Sequence, residues 1–243
     1  NALQPQNLKE KQESFTALNA NGTGPYRLVS RAPDSKTVLA RAPGYWGKVD
    51  GDITEVVWTP IGSDPTRVAA LLSGELDLLL DVPAQDVARL QSNPDLKIAK
   101  VDEFRTIFFG FDLKSDSPKY VDAGGKNPFK DVRVRQAINL AVDRDAVVRT
   151  VMRGLASPTT QILAPGNVGY DPALDKTVTT NRERARQLLT EAGYPNGFAF
   201  TFDCPNDRYI NDEQVCKTMA TMLSQVGLKP TLNAMPRARY FPK

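Results

Sequence analysis

Between residues 198 and 234 the sequence switches between two periodicities, and that switching restricts the fold more than any other feature. Residues 198–203 form a short apolar, strand-like run, residues 212–225 an amphipathic helix closed by Gly227, and residues 229–234 a second strand. The same punctuation recurs upstream. Residues 182–192 read as a helix ended by Gly193. Asp131 caps a helix carrying Val134, Ile138 and Ala141, and Asp143 caps the next, which carries Val147, Val148 and Val151 and stops at Gly154. Asp64 and Pro65 supply an N-cap and a first-turn proline, Val68, Leu71 and Leu72 follow at helical spacing, and Gly74 closes the helix. Residues 26–30 and 37–41 flank the turn Ala32-Pro33-Asp34-Ser35 and pair as a hairpin, with residues 55–58 as a third strand. Residues 76–80, 97–101 and 106–112 read as further strands, and residues 83–91 as a helix between them. The fold class is therefore α/β, with mixed layers of strand and helix.

Residues 114–130 change character. They are Lys, Ser, Asp, Pro, Gly and Asn almost throughout, which predicts a linker or crossover separating a first body, residues 1–113, from a second, residues 131–243. Residues 155–180 form a long loop, and loops beyond about 12–15 residues are usually functional or disordered. The first twenty residues read as a helix or loop leading to a turn.

Composition excludes several classes of function. The chain has 243 residues, 41% hydrophobic and 24% charged, enough to bury a core, and its net charge of +3 is spread with both signs interspersed, so nucleic acid is not an expected partner. The longest apolar stretch, residues 76–82, is broken by Asp77 and Asp81, so no segment is expected to span a membrane. There is no histidine, which removes every triad built on an imidazole base and the commonest metal ligand. Gly22-Thr23-Gly24 and Gly124-Gly125-Lys126 lack the full phosphate-loop pattern, and neither a Gly-x-Ser-x-Gly elbow nor clustered metal ligands occur. No cofactor and no metal are expected. A hydrolase without histidine, with Asp77 and Asp81 as acid and base, is the remaining enzymatic alternative, although carboxylates ahead of Pro83 commonly face solvent. The two cysteines, Cys204 and Cys216, are equally compatible with one disulfide and with two buried thiols.

Several motifs, in order, resemble one family. Gly22-Thr23-Gly24-Pro25-Tyr26, then Arg41-Ala42-Pro43-Gly44-Tyr45-Trp46-Gly47, then Ser73-Gly74-Glu75-Leu76-Asp77 are similar to the extracellular solute-binding proteins of the dipeptide, oligopeptide and nickel ABC import systems. The resemblance continues through Asn127-Pro128-Phe129-Lys130-Asp131-Val132-Arg133-Val134-Arg135-Gln136-Ala137-Ile138, Ala141-Val142-Asp143-Arg144 and Leu188-Leu189-Thr190-Glu191-Ala192-Gly193-Tyr194-Pro195. These residues encode scaffold: the Gly24-Pro25 pair a turn, Tyr45 and Trp46 aromatics buried under a loop, Arg133 and Arg135 surface or capping residues.

The resemblance implies a two-lobed, type II periplasmic-binding architecture with mixed sheets, in which lobes rotate about a hinge to enclose a solute. It covers the middle of that family's length, so the chain is expected to be an incomplete fragment: part of lobe I up to residue 113, the crossover at 114–130, and most of lobe II thereafter. The implied function is capture of peptides or similar small solutes and delivery to ABC permease subunits, by an exported, periplasmic, monomeric protein rather than an enzyme. A receptor or sensor domain presenting a ligand on the same fold is the alternative. Export favours the disulfide between Cys204 and Cys216. The segment from Cys204 to Glu213, containing Asn206, Arg208 and Tyr209, connects a strand to a helix, where open α/β proteins usually build ligand sites. In some dipeptide-binding relatives an arginine at a matching place contacts the peptide carboxylate, so Arg208, with Tyr209 and Asn206, is the expected anchor for an anionic group. A surface arginine paired with Asp207 or Asp212, and a tyrosine used for packing, remain the alternatives here.

Overall fold

The computed structural model describes residues 14–176 and 178–243, and the chain forms two compact units, Asn1–Leu79 and Leu80–Lys243. The reading of the first thirteen residues falls outside the described part.

The first unit contains α1 (Phe15–Leu18), β1 (Tyr26–Ala32), β2 (Lys36–Arg41), β3 (Glu55–Trp58) and α2 (Asp64–Leu72). The three strands form an antiparallel meander in the order β1-β2-β3, with Leu28 opposite Leu39 and Val38 opposite Val57. The long β2–β3 connection is clipped to the sheet by side chains: Tyr26 Oη donates to the Ile53 carbonyl at 2.9 Å and Arg41 Nη2 to that of Gly51 at 2.8 Å. Helix α2 begins one residue earlier than its cap signal suggests. Ser63 occupies the cap position, and the Asp64 carboxylate instead accepts from Arg67 Nη2 at 2.7 Å within the first turn. Trp46, expected under a loop, is 82% exposed, its indole N–H donating to the Thr23 carbonyl.

The second unit runs through α3 (Val87–Gln91), β4 (Val121–Asp122), a 3₁₀ turn at Pro128–Lys130, α4 (Val132–Ala141), α5 (Arg144–Thr150), α6 (Arg182–Glu191), β5 (Ala199–Pro205), α7 (Asp212–Ser224), β6 (Lys229–Met235) and α8 (Arg237–Tyr240). Its sheet is mixed. β5 and β6 are parallel, in register from Ala199 opposite Lys229 to Pro205 opposite Met235, with α7 as their crossover, while β4 adds antiparallel to β5. The apolar faces read from the sequence meet in one core: Val134, Ala137, Ile138 and Ala141 of α4, Ala185, Leu188 and Leu189 of α6, and Met222 and Leu223 of α7. Phe129 is its aromatic centre, with ring centroids 5.0 Å from Phe111 and 5.7 Å from both Phe198 and Phe200. Burying a side chain of that size stabilises the unit by about 1.5–3 kcal/mol. The caps read at Asp131 and Asp143 are present, their carboxylates accepting from the N–H groups of Arg133 and Ala146.

Two readings are corrected. The compact units part between Leu79 and Leu80, not at residue 113, and residues 114–130 are built into the second unit. β4 lies within that segment, and the buried Asn127 side chain donates to the carbonyls of Asp112 and Ser115, at 2.7 and 2.8 Å, and accepts from the Phe129 N–H. Polar composition was read as a linker; the side-chain hydrogen bonds that fold this segment into the second unit have no compositional signature. Secondly, residues 76–80, 97–101 and 106–112 are not strands. An apolar run becomes a strand only where a neighbour completes its backbone hydrogen bonds, and among the described residues these runs meet none. Leu78, Val101, Ile107 and Phe108 are accordingly exposed.

Arg133 and Arg135 serve the scaffold. Arg133 pairs with Asp131 and donates to the Glu191 carbonyl at 2.7 Å, tying α4 to the end of α6, while Arg135 donates to the Phe129 carbonyl at 2.6 Å.

Candidate functional site

The carboxyl ends of β5 and β6 lie side by side because the strands are parallel, and the β5–α7 connection passes over them. Cys204, fully buried at the end of β5, is bridged to Cys216 on α7, with sulfurs 2.04 Å and Cα atoms 6.5 Å apart. The bridge closes the segment carrying Asn206, Arg208 and Tyr209. Three further contacts hold it. The Asn206 N–H donates to the Met235 carbonyl at 3.0 Å, the Asp207 carboxylate accepts from the Arg237 N–H at 2.6 Å, and Asn211 Nδ2 donates to the Val151 carbonyl at 3.0 Å. Asn211 has φ 55°, a left-handed conformation that asparagine tolerates better than most residues, and it turns the chain into α7.

Asp212 is the organising residue. Its carboxylate, 8% exposed, accepts from the N–H groups of Arg208 at 2.9 Å, Tyr209 at 3.0 Å and Glu213 at 2.8 Å. A carboxylate in the first turn of a helix also complements the positive end of the helix dipole. With both Asp212 oxygens engaged and Asp207 committed to Arg237, neither acid pairs with the Arg208 side chain. That guanidinium lies over the Tyr209 ring, its carbon 4.9 Å from the centroid, and among the described residues it makes no ion pair. Arg208 and Asn206 are exposed and Tyr209 is half-buried. A second guanidinium, that of Arg105, lies 5.7 Å from the same ring centroid. Beside this group Lys243 Nζ meets the Asp203 carboxylate at 2.6 and 2.8 Å, and burial, then the neighbouring Tyr209 and Asp203, raises the Tyr240 phenol above its ordinary pKa.

Arg208 and Tyr209 are thus brought together, with Asn206 on the same connection but in no described side-chain contact with them. Arg105 escaped the sequence reading, and Asp212 entered it only as a possible ion-pair partner of Arg208, not as the acceptor that orders the connection. An acid opening a helix signals a helix start, not acceptance of N–H bonds from the preceding loop, and Arg105 is too distant in sequence for any spacing rule to join it to Tyr209. Asp77 and Asp81 are both exposed, and among the described residues no group of acids or cysteines is arranged to hold a metal ion.

The sequence profile of the bacterial extracellular solute-binding proteins, family 5 Middle, matches residues 2–243. The chain belongs to that family. Its members are binding proteins of transporters, not enzymes. The chain is 27% identical over 241 residues to the glutathione-binding protein GsiB of Salmonella choleraesuis strain SC-B67, covering 96% of this chain and 43% of that protein. Among solved structures it is similar to the ABC transporter-associated periplasmic binding protein DppA from Helicobacter pylori in complex with the peptide STSA. The TM-score is 0.71 and the identity 25%, over 90% of this chain and 40% of that one. It is also similar to AgaA from A. tumefaciens R10 in complex with agropinic acid, with TM-score 0.68 and 27% identity over 94% and 45% of the two chains. The family 5 chain spans less than half the length of these relatives, and its α/β units with mixed sheet are part of the type II periplasmic-binding fold. No helix among the described residues is long and apolar enough to cross a membrane.

Proposed function

We propose that this chain is the part of an ABC importer's solute-binding component that carries an anion anchor, the protein acting in the periplasm as a monomer that captures peptides or similar small acids and delivers them to permease subunits. In this reading Leu80–Lys243 is most of one lobe and Asn1–Leu79 belongs to the other. The observation that carries the anchor is Arg208: an exposed guanidinium at the carboxyl end of a parallel strand, stacked on Tyr209, with both adjacent carboxylates occupied elsewhere. Its planar fork fits the two oxygens of a carboxylate, and the solutes named for the relatives, glutathione, a tetrapeptide and agropinic acid, all carry one. Asn206 supplies a neutral donor on the same connection.

The test is a thermal-shift and calorimetric screen of the full-length protein against peptides and organic acids, with mass spectrometry of the recovered ligand. Binding stabilises the folded protein without changing the ligand. Arg208→Ala is expected to weaken binding by at least about tenfold, the scale of one charged hydrogen bond. A change below about threefold removes Arg208 as the anchor.

A further inference from the structure

Tyr209 carries two guanidinium groups on one ring, from Arg208 beside it in sequence and from Arg105 far upstream. The second is placed by packing. Phe109 meets Phe202 of β5 edge-on, centroids 4.7 Å apart, which fixes the 105–109 segment alongside the strand that leads into the site. Arg105 has one ionic partner among the described residues, Glu103, through Nη1 at 3.0 Å, and that carboxylate is itself largely exposed. An arginine offers five N–H donors in a rigid fork, so most of those on Arg105 have no protein acceptor among the described residues. Two cations held against one aromatic ring repel each other unless anions neutralise them, and the ring quadrupole offsets only part of that cost. Glu103 satisfies one of the pair. The other is left for the solute.

We infer that Arg105 is a second anion donor of this site and selects solutes bearing two carboxylates, such as acidic peptides. The inference rests on Arg208 being the anchor for the first carboxylate. Arg105 then exchanges Glu103 for the second, so Glu103 acts as a stand-in counterion that a solute with a single carboxylate cannot displace. Tyr209 spaces the two forks, and its phenol, with no hydrogen-bond partner among the described residues, can donate to either carboxylate.

The test compares Ala-Glu with Ala-Gln, which differ by one carboxylate against an amide of the same shape, by calorimetry on the full-length protein. Wild type is expected to prefer Ala-Glu by about tenfold or more, and Arg105→Ala to remove that preference while leaving Ala-Gln within about twofold. Arg105→Lys, which keeps the charge but not the fork, should recover part of it, and Glu103→Gln should tighten Ala-Glu without moving Ala-Gln. A wild type without the preference, or an Arg105→Ala protein that keeps it or loses both peptides equally, overturns the inference. Failure of the underlying reading looks different: Arg208→Ala then leaves Ala-Gln binding unchanged. If wild type binds neither peptide, the acidic-peptide class is wrong, and the wider screen decides the solute-binding proposal separately.

Discussion

The Asp212 carboxylate accepts the Tyr209 N–H at 3.0 Å with the same oxygen that accepts the Arg208 N–H at 2.9 Å, so one buried acid sets the direction in which both side chains leave the backbone. Asp212→Asn keeps the shape but halves the acceptor capacity and removes the charge. The expected result is a loss of about 1.5–3 kcal/mol in stability, the range for hydrogen bonds to a charged group. Solute affinity should fall as well, because Asp212 holds the backbone of Arg208 and Tyr209 in place. Asp212→Ser, a smaller acceptor, should restore part of the stability but little of the affinity. Urea denaturation and calorimetry on the same samples separate the two effects, and unchanged affinity in Asp212→Asn would remove its positioning role.

The Cys204–Cys216 bridge closes a loop of sequence separation 12 around that same connection. By loop-closure entropy a bridge of this span contributes about 2–4 kcal/mol. Reduction, or the double change Cys204→Ala with Cys216→Ala, is expected to lower stability by that amount. It should also raise amide exchange at Arg208 and Tyr209 before exchange rises in β5. Equal stability with and without reductant would refute the contribution.

Gly197 has φ 64°, and a Cβ built there would lie 1.9 Å from the Gly227 carbonyl oxygen. The turn before β5 and the turn before β6 therefore touch backbone to backbone, which lets the two parallel strands start in register. Gly197→Ala combines left-handed strain with overpacking against a group that cannot move aside, each worth about 1–3 kcal/mol. A loss of about 3 kcal/mol or more, or failure to accumulate as folded protein, is expected; a denaturation midpoint within error of wild type would count against it.

What the residues disclosed in advance follows from the range of the forces involved. Helices α4, α6 and α7 were legible because caps such as Asp131 and periodic apolar residues such as Val134, Ile138 and Leu188 act within a few turns of chain. The runs at 76–80, 97–101 and 106–112 were equally apolar, yet being a strand depends on a partner, which composition does not report. The same division applies at the site. Arg208 and Tyr209 could be named from their place between strand and helix together with the family resemblance, whereas the approach of Arg105 depends on Phe109 packing against Phe202, a tertiary contact. The boundary was misplaced for a related reason: residues 114–130 look like a linker until Asn127 ties them to Asp112 and Ser115.

The long loop at 155–180 is closed by one carboxylate, and this gives it a pH dependence of definite sign. Asp175 accepts from the Thr160 N–H at 2.9 Å, from the Thr159 hydroxyl at 2.9 Å, from the Tyr170 phenol at 3.0 Å and from the Thr160 hydroxyl at 3.3 Å. These bonds, the Thr160 N–H foremost and the Thr159 hydroxyl next, hold its pKa below the ordinary value of 3.8. Because the folded-state pKa is depressed, the unfolded chain binds the proton first as pH falls. The contribution of Asp175 is therefore fully present above the ordinary carboxylate value, declines as pH drops from there towards the folded pKa, and is gone below it. Asp175→Asn, which cannot accept from all four donors, should be less stable than wild type at pH 7, and the two should converge as pH is lowered through that window. Urea midpoints at pH 7, 5, 4 and 3 measure the convergence. A gap that stays constant across the series would mean that the cost of the substitution is steric, and that the Asp175 charge does not hold the loop.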